Sequence, residues 1–306
     1  MGGVCQTAGV TRRRLLVASL IAAAVILGAV VSNQVKVYQG RQARAALHQQ
    51  RHPIVPEPVE IVQQRQALFD LLRPVVLTNC ELERFGEAHD GGYLMCGNLL
   101  GAVQSGYSYG ISGYDKWGCD ISTRLDIPVH QYDCFDTTQP SCFFGETVFH
   151  AECVGDKAET LDGRPFDSVQ NQFARNGDSA KRIVLKIDVE GAEWDSLLTT
   201  PDAVLDQIDQ LAVEFHWLED EQFHWIQDEK HLRVVQRLKQ FFAVAHMHAN
   251  NASCVGDLAP FTSSAYEVLF VSKRVAVVDP SRKAVGLHPS DARNNASLAD
   301  CQPAAR

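Results

Sequence analysis

The chain has 306 residues, 45% of them hydrophobic and 21% charged, a balance that suits one globular domain with additional segments. Its formal net charge is −9, and no basic stripe with interleaved aromatics occurs, which argues against a nucleic-acid partner. No repeat of solenoid period is present.

Arg12 to Arg14 precede an apolar run from Leu15 to Val31. Roughly 17 apolar residues is short for a membrane span and long for a signal-peptide core. The run has no polar face and no small-x-small exit before Ser32, so it reads as a retained signal anchor, with a cleaved signal peptide as the alternative. The arginines ahead of it place residues 1–14 in the cytoplasm and the bulk of the chain in a lumen. Lys36, Arg41 and Arg44 on the far side reduce that bias. The expectation is a single-pass type II protein of the Golgi or endoplasmic reticulum, held by one N-terminal helix.

Residues 32–58 are polar and basic and end in closely spaced prolines, which stiffen a linker and block a helix; they read as a stem. A helical pattern, "IVQQRQALFDLLRP", opens a domain over 59–275. Residues 276–306 are polar and read as a poorly ordered tail. Of nine cysteines, Cys5 would be cytoplasmic and the other eight lumenal: Cys80, Cys96, Cys119, Cys134, Cys142, Cys153, Cys254 and Cys301. An even number in an oxidising compartment predicts disulfides, with pairing left open, and the lack of a CxxC pair argues against a zinc ribbon. Two glycosylation sequons, Asn251-Ala-Ser253 and Asn295-Ala-Ser297, agree with a lumenal location.

Within the domain, strands and helices alternate. "GYSYGIS", "IPVHQYDCF" and "TVFHAECVG" read as three strands, and "FDSVQNQFARNG" as a helix stopped at Gly177. "RIVLKIDV" is a continuous apolar strand, as expected for a buried parallel one. A helix from "EWDSLL", a strand "QIDQLAVEFHW", a long amphipathic helix, and strands "AVAHMHANN" and "AYEVLFVSK" follow. This order predicts a doubly wound α/β sheet, in which ligands bind beyond the carboxyl ends of the strands.

The strand ends are therefore where a site should lie. Gly110, Ser112 and Gly113 follow the first strand and would let a ligand approach the backbone. Asp133 ends the second strand, where an acid would accept the hydroxyls of a ribose, with Asp136 as the alternative. Val154 and Asp156 end the third, near a possible adenine. Asp188 and Glu190 interrupt an apolar strand. Glu214 and His216 end the next one, on the face opposite Leu211, Val213 and Phe215. His246, His248, Asn250 and Asn251 follow a later strand. Glu193 fits a helix-start carboxylate, Asp90 and Tyr93 a turn, and the tryptophans core packing.

"DGGYLMC" (Asp90 to Cys96), "YSYGIS", "VHQYDCFD", "LKIDVEGAEW" (Leu185 to Trp194) and "HMHANN" together resemble the methyltransferase-like and FkbM-type S-adenosylmethionine-dependent methyltransferases, over about Cys80 to Lys273. "KIDVEGAEW" is the most specific piece. The resemblance implies a Rossmann-like sheet, S-adenosylmethionine as cofactor and transfer to oxygen. It leaves the acceptor open, and the lumenal signals point to a glycan or glycoprotein. The loop "GISGYDKWGCD" is longer and poorer in glycine than the usual methyltransferase loop.

Methyl transfer from a sulfonium is an in-line displacement, and a sugar hydroxyl is a poor acid, so a base or a metal ion is needed. The expected catalytic residues are Asp188, Glu190, Glu214, His216 and His248, with His216 or His248 as proton acceptor. The expected cofactor contacts are Gly110, Ser112, Gly113, Asp133, Val154 and Asp156. A divalent metal, if used, would take Asp188, Glu214, His216 and His248. A non-catalytic ligand- or partner-binding relative and a nicotinamide-dependent enzyme are the alternatives; the second lacks a clean GxGxxG.

Overall fold

The computed structural model describes residues 59–216, 218, 224–256, 258–284 and 287–302. The segments read as cytoplasmic tail, anchor and stem lie outside them. No helix among the described residues is long and apolar enough to cross a membrane.

After a first helix, Val59–Leu72, come β1 (Val75–Leu77) and a hairpin of β2 (Leu82–Gly86) and β3 (Gly92–Cys96). Then follow β4 (Ser105–Tyr109), a helix Lys116–Leu125, β5 (Val129–Tyr132) and β6 (Thr147–His150). A small sheet of β7 (Cys153–Gly155), β8 (Glu159–Leu161) and β9 (Arg164–Ser168) leads into a helix, Val169–Arg175. The chain continues through β10 (Ile183–Ile187), a helix Glu193–Thr199, β11 (Ile208–Phe215), the long helix His224–Phe241, β12 (Phe242–Ala249), β13 (Tyr266–Ser272) and β14 (Val278–Lys283).

Seven strands form the central sheet, in the order β12-β13-β11-β10-β4-β5-β6. β11, β10, β4, β5 and β6 pair in parallel, and β13 lies antiparallel between β11 and β12. The sheet is mixed and mostly parallel, compatible with a Rossmann-like fold. The parallel strands β4, β5, β10 and β11 are buried on both faces, and in β10 this shows as a nearly continuous apolar run. Leu185, Ile187, Leu211, Val213 and Phe215 pack on one face with Trp194 and the long helix. Val184 and Ala212 pack on the other with Trp117, Ile121 and the β2–β3 hairpin. Trp117 and Trp194 are core residues, as expected.

One expectation needs correction. "TVFHAECVG" is not one strand: β6 closes the large sheet, and β7 belongs to the small one. The described residues of the tail expected to be poorly ordered are built into the fold. β14 pairs with β1, Cys254 bonds Cys301, and Asn294 is buried with its amide on Glu267 at 2.6 Å. Its polar side chains satisfy other polar groups of the fold, a long-range match that local composition does not encode.

All eight predicted cysteines pair: Cys80–Cys96, Cys119–Cys142, Cys134–Cys153 and Cys254–Cys301. Four bridges fit an oxidising compartment. The Cys254–Cys301 bridge closes the longest loop, 47 residues apart, and in the chain-entropy description is worth about 4 kcal/mol. Thiol titration of the denatured, unreduced chain should find Cys5 alone; eight further thiols would refute the pairing.

Candidate functional site

The order of strands reverses at β4. The chain moves to β5 on one side and reaches β10 on the other. A crevice opens at such a switch point, beyond the carboxyl ends of the strands. Here Gly110 follows β4 and Asp188 follows β10. Asp188 N–H donates to the Tyr109 carbonyl, and Gly110 N–H to that of Tyr132. Gly110 has φ +73°, and a Cβ built on it would sit 1.7 Å from the Asp188 carbonyl oxygen. Only glycine permits these two strand ends to meet.

A cleft of about 630 Å³ lies over this junction. Eight of the eleven expected catalytic and cofactor residues line it: Gly110, Ser112, Asp133, Val154, Asp188, Glu190, Glu214 and His216. Gly113, Asp156 and His248 do not. Gly113 turns the loop against the Asp136 carboxylate, Asp156 is exposed beyond β7, and His248 faces Glu267 at 3.9 Å. Ser112 and Glu190 both adopt positive φ, 47° and 53°, so backbone strain in the molecule falls partly on cleft residues.

Asp133, expected to contact a ribose, lines the cleft and holds the backbone of the loop beside it. One carboxylate oxygen accepts the N–H groups of Ile111 and Ser112, and the other those of Phe135 and Asp136. Four backbone donors saturate it, so it fixes the glycine loop against the end of β5.

The acids gather opposite. Glu214 is 3% exposed and takes a hydrogen bond of 2.6 Å from the Asn250 amide. The Tyr93 hydroxyl donates to Asp188 at 2.8 Å and lies 3.5 Å from Glu214. Lys186 crosses under the loop, its ammonium 2.7 Å from the Gly110 carbonyl and 3.4 Å from Asp188. His216 Nε2 stands 3.7 Å from Asp188, 3.8 Å from Glu214 and 3.9 Å from Glu190. Glu193 is fully buried and accepts the backbone N–H of His216 at 2.7 Å and that of Gly191 at 2.8 Å, with its carboxylate 3.3 Å from His216 Nδ1. It is a helix-start acid, as expected, at the first residue of the helix Glu193–Thr199, and it also supports His216.

Protonation follows from this packing. Burial raises Glu214 to about 7, helped by the Asp188 charge and opposed by His216 and the Asn250 hydrogen bond. Glu267 lies directly across the β11–β13 pair from Glu214. Facing carboxylates repel, and burial followed by the Glu214 charge pushes Glu267 well above the usual carboxylate range. For His216, burial alone favours the neutral ring, but the Glu193 hydrogen bond and the Glu214, Glu193 and Asp188 charges outweigh it and raise the group to about 9. This surrounding favours the protonated ring of His216 at neutral pH. His248 is shifted down by burial, and it sits outside the cleft.

Asp188, Glu214 and His216 each offer one ligand atom within 4.8 Å of the others, an oxygen and nitrogen set that suits a divalent ion. His248, the fourth ligand expected, is not in this group. Tyr93, Lys186, Glu193 and Glu267 were missed as site residues. Lys186 and Glu267 had left a signal, a lone charge inside an otherwise apolar strand. Tyr93 and Glu193 left none beyond their place in the motifs. No protein-family model, curated protein or solved structure matches the chain.

Proposed function

We propose that the chain is an S-adenosylmethionine-dependent methyltransferase of the secretory pathway, acting on an oxygen of a glycan or another lumenal acceptor. The observation that carries this reading is the meeting, at the switch point, of the Gly110–Ser112 loop with Asp188, Glu214 and His216. The motifs "YSYGIS" and "LKIDVEGAEW" supply the Gly110–Ser112 loop and Asp188, and the four disulfides support the lumenal setting.

The lining of the cleft supports this reading. Tyr132, Val154 and Phe166 give it an apolar wall for a purine. Gly110 and Ser112 bring bare backbone to its floor, and Asp188 places a carboxylate where an amine or a sulfonium needs one. When bound, the cofactor supplies a methyl group on a positively charged sulfur. Glu214 then takes the proton of the acceptor hydroxyl, because its raised pKa makes it a stronger base than an ordinary carboxylate. The His216 imidazolium neutralises the charge that accumulates between Asp188 and Glu214, and Glu193 holds its ring.

The activity should follow pH accordingly. The working form has Glu214 ionised and His216 protonated. Turnover per free enzyme, kcat/KM, should rise as pH climbs through about 7 and fall through about 9. A profile flat from pH 6 to 10 would contradict these roles.

The spacing of Asp188, Glu214 and His216 also favours a second reading, a divalent-ion site. A metal would need His216 neutral, and three carboxylates hold it protonated, so the proton-handling reading stands first. Chelation should leave turnover unchanged. A loss restored by added magnesium or manganese would assign the triad to a metal. The function itself is tested by incubating the purified chain with labelled S-adenosylmethionine and released lumenal glycans. Incorporation is the expected result. Cofactor binding without transfer to any acceptor would favour the non-catalytic relative.

A further inference from the structure

We infer that Asn295, and not Asn251, is the N-glycosylation site of the folded chain. The inference rests on the lumenal reading above, because oligosaccharide transfer to asparagine occurs there. Sequence treats the two sequons alike; the structure separates them.

Asn251 is 2% exposed. Its amide nitrogen donates to the carbonyls of Asn295 at 3.0 Å, Leu298 at 3.1 Å and Ala299 at 3.3 Å. Its carbonyl oxygen accepts the Asn295 N–H at 2.8 Å. The side chain is the peg on which the tail folds back, beside the Cys254–Cys301 bridge. A sugar on that nitrogen would occupy the space where three carbonyls converge and would remove one of the two N–H donors. The tail would then lose its seat, and Asn294 its place on Glu267.

Asn295 is exposed and lines neither large pocket. Its amide nitrogen makes no hydrogen bond among the described residues. Its carbonyl oxygen accepts both the N–H and the hydroxyl of Ser297, at 3.0 and 2.6 Å, so the asparagine and serine of the sequon are already in contact. A glycan here leaves the cleft open. In the transfer, the bond from the amide nitrogen to C1 of the first sugar forms and one amide proton leaves. The bond from C1 to the oxygen of a lipid-linked pyrophosphate donor breaks, its electron pair departing with the pyrophosphate.

The test is expression of the full chain in secretory eukaryotic cells, followed by enzymatic deglycosylation and mass measurement. The wild type should lose the mass of one glycan. Asn295→Gln and Ser297→Ala should lose none, and Ser253→Ala, which spares the buried Asn251 amide, should behave as wild type. A glycan that persists in Asn295→Gln, or disappears in Ser253→Ala, overturns the inference. So does an unglycosylated wild type, and the thiol count of the same sample tells why. Oxidised cysteines leave the lumenal reading standing without this site, whereas free cysteines remove both.

Discussion

Glu214→Gln should lower methyl-transfer turnover by roughly 100- to 10,000-fold, the usual worth of a positioned acid or base, without unfolding the protein. The amide keeps the shape, and its oxygen still accepts the Asn250 hydrogen bond that Glu214 receives. It also removes one of two acids that face each other across β11 and β13. The melting temperature should therefore hold or rise while turnover falls. That opposition separates a working carboxylate from a structural one, because a purely structural Glu214 would lose stability and activity together. His216→Ala should also cut turnover, but through the charge balance at Asp188 and Glu214. Wild-type turnover in a folded Glu214→Gln variant would remove Glu214 from the mechanism.

Gly110→Ala should abolish cofactor binding and destabilise the chain. Two costs combine. The residue sits at positive φ, and its new Cβ would lie 1.7 Å from the Asp188 carbonyl oxygen, a backbone atom and not the movable end of a side chain. Strain of this kind costs about 1–3 kcal/mol before the clash is counted. Gly163 provides the control: it has φ +78° and nothing within 4 Å of a built Cβ, so Gly163→Ala carries the conformational cost alone. Denaturant melts of the two variants isolate the clash as their difference. Equal destabilisation, with cofactor affinity intact in Gly110→Ala, would mean that the strand ends have room to part.

The periodicity of the sequence carried much of the fold because the central strands are buried on both faces. Such strands read as largely apolar runs, and Ile183–Ile187, apolar but for Lys186, is the clearest case. The same logic exposed Asp188 and Glu214, since an acid at the end of such a run stands out. It failed where a polar residue meets its partner far along the chain. Asn294 and Asp291 belong to a segment of loop-like composition, yet the first hydrogen-bonds Glu267 and the second lies 2.8 Å from His246. Asp133 was legible as a strand-end acid, but its saturation by four backbone N–H groups depends on how the loop curls. Likewise His216 and His248 look equivalent as sequence. Their difference arises from Glu193, which reaches the first ring from a neighbouring helix, and from the sheet, which leaves the second at the far pocket.

The most direct measurement is titration calorimetry of the purified full chain with S-adenosylhomocysteine and, separately, with NAD. S-adenosylhomocysteine should bind at one site per chain, more weakly in Asp188→Asn and not at all in Gly110→Ala, while NAD gives no heat. Binding of NAD, or silence toward S-adenosylhomocysteine from a folded and fully disulfide-bonded chain, would contradict the assignment of the switch-point cleft to a methyl donor.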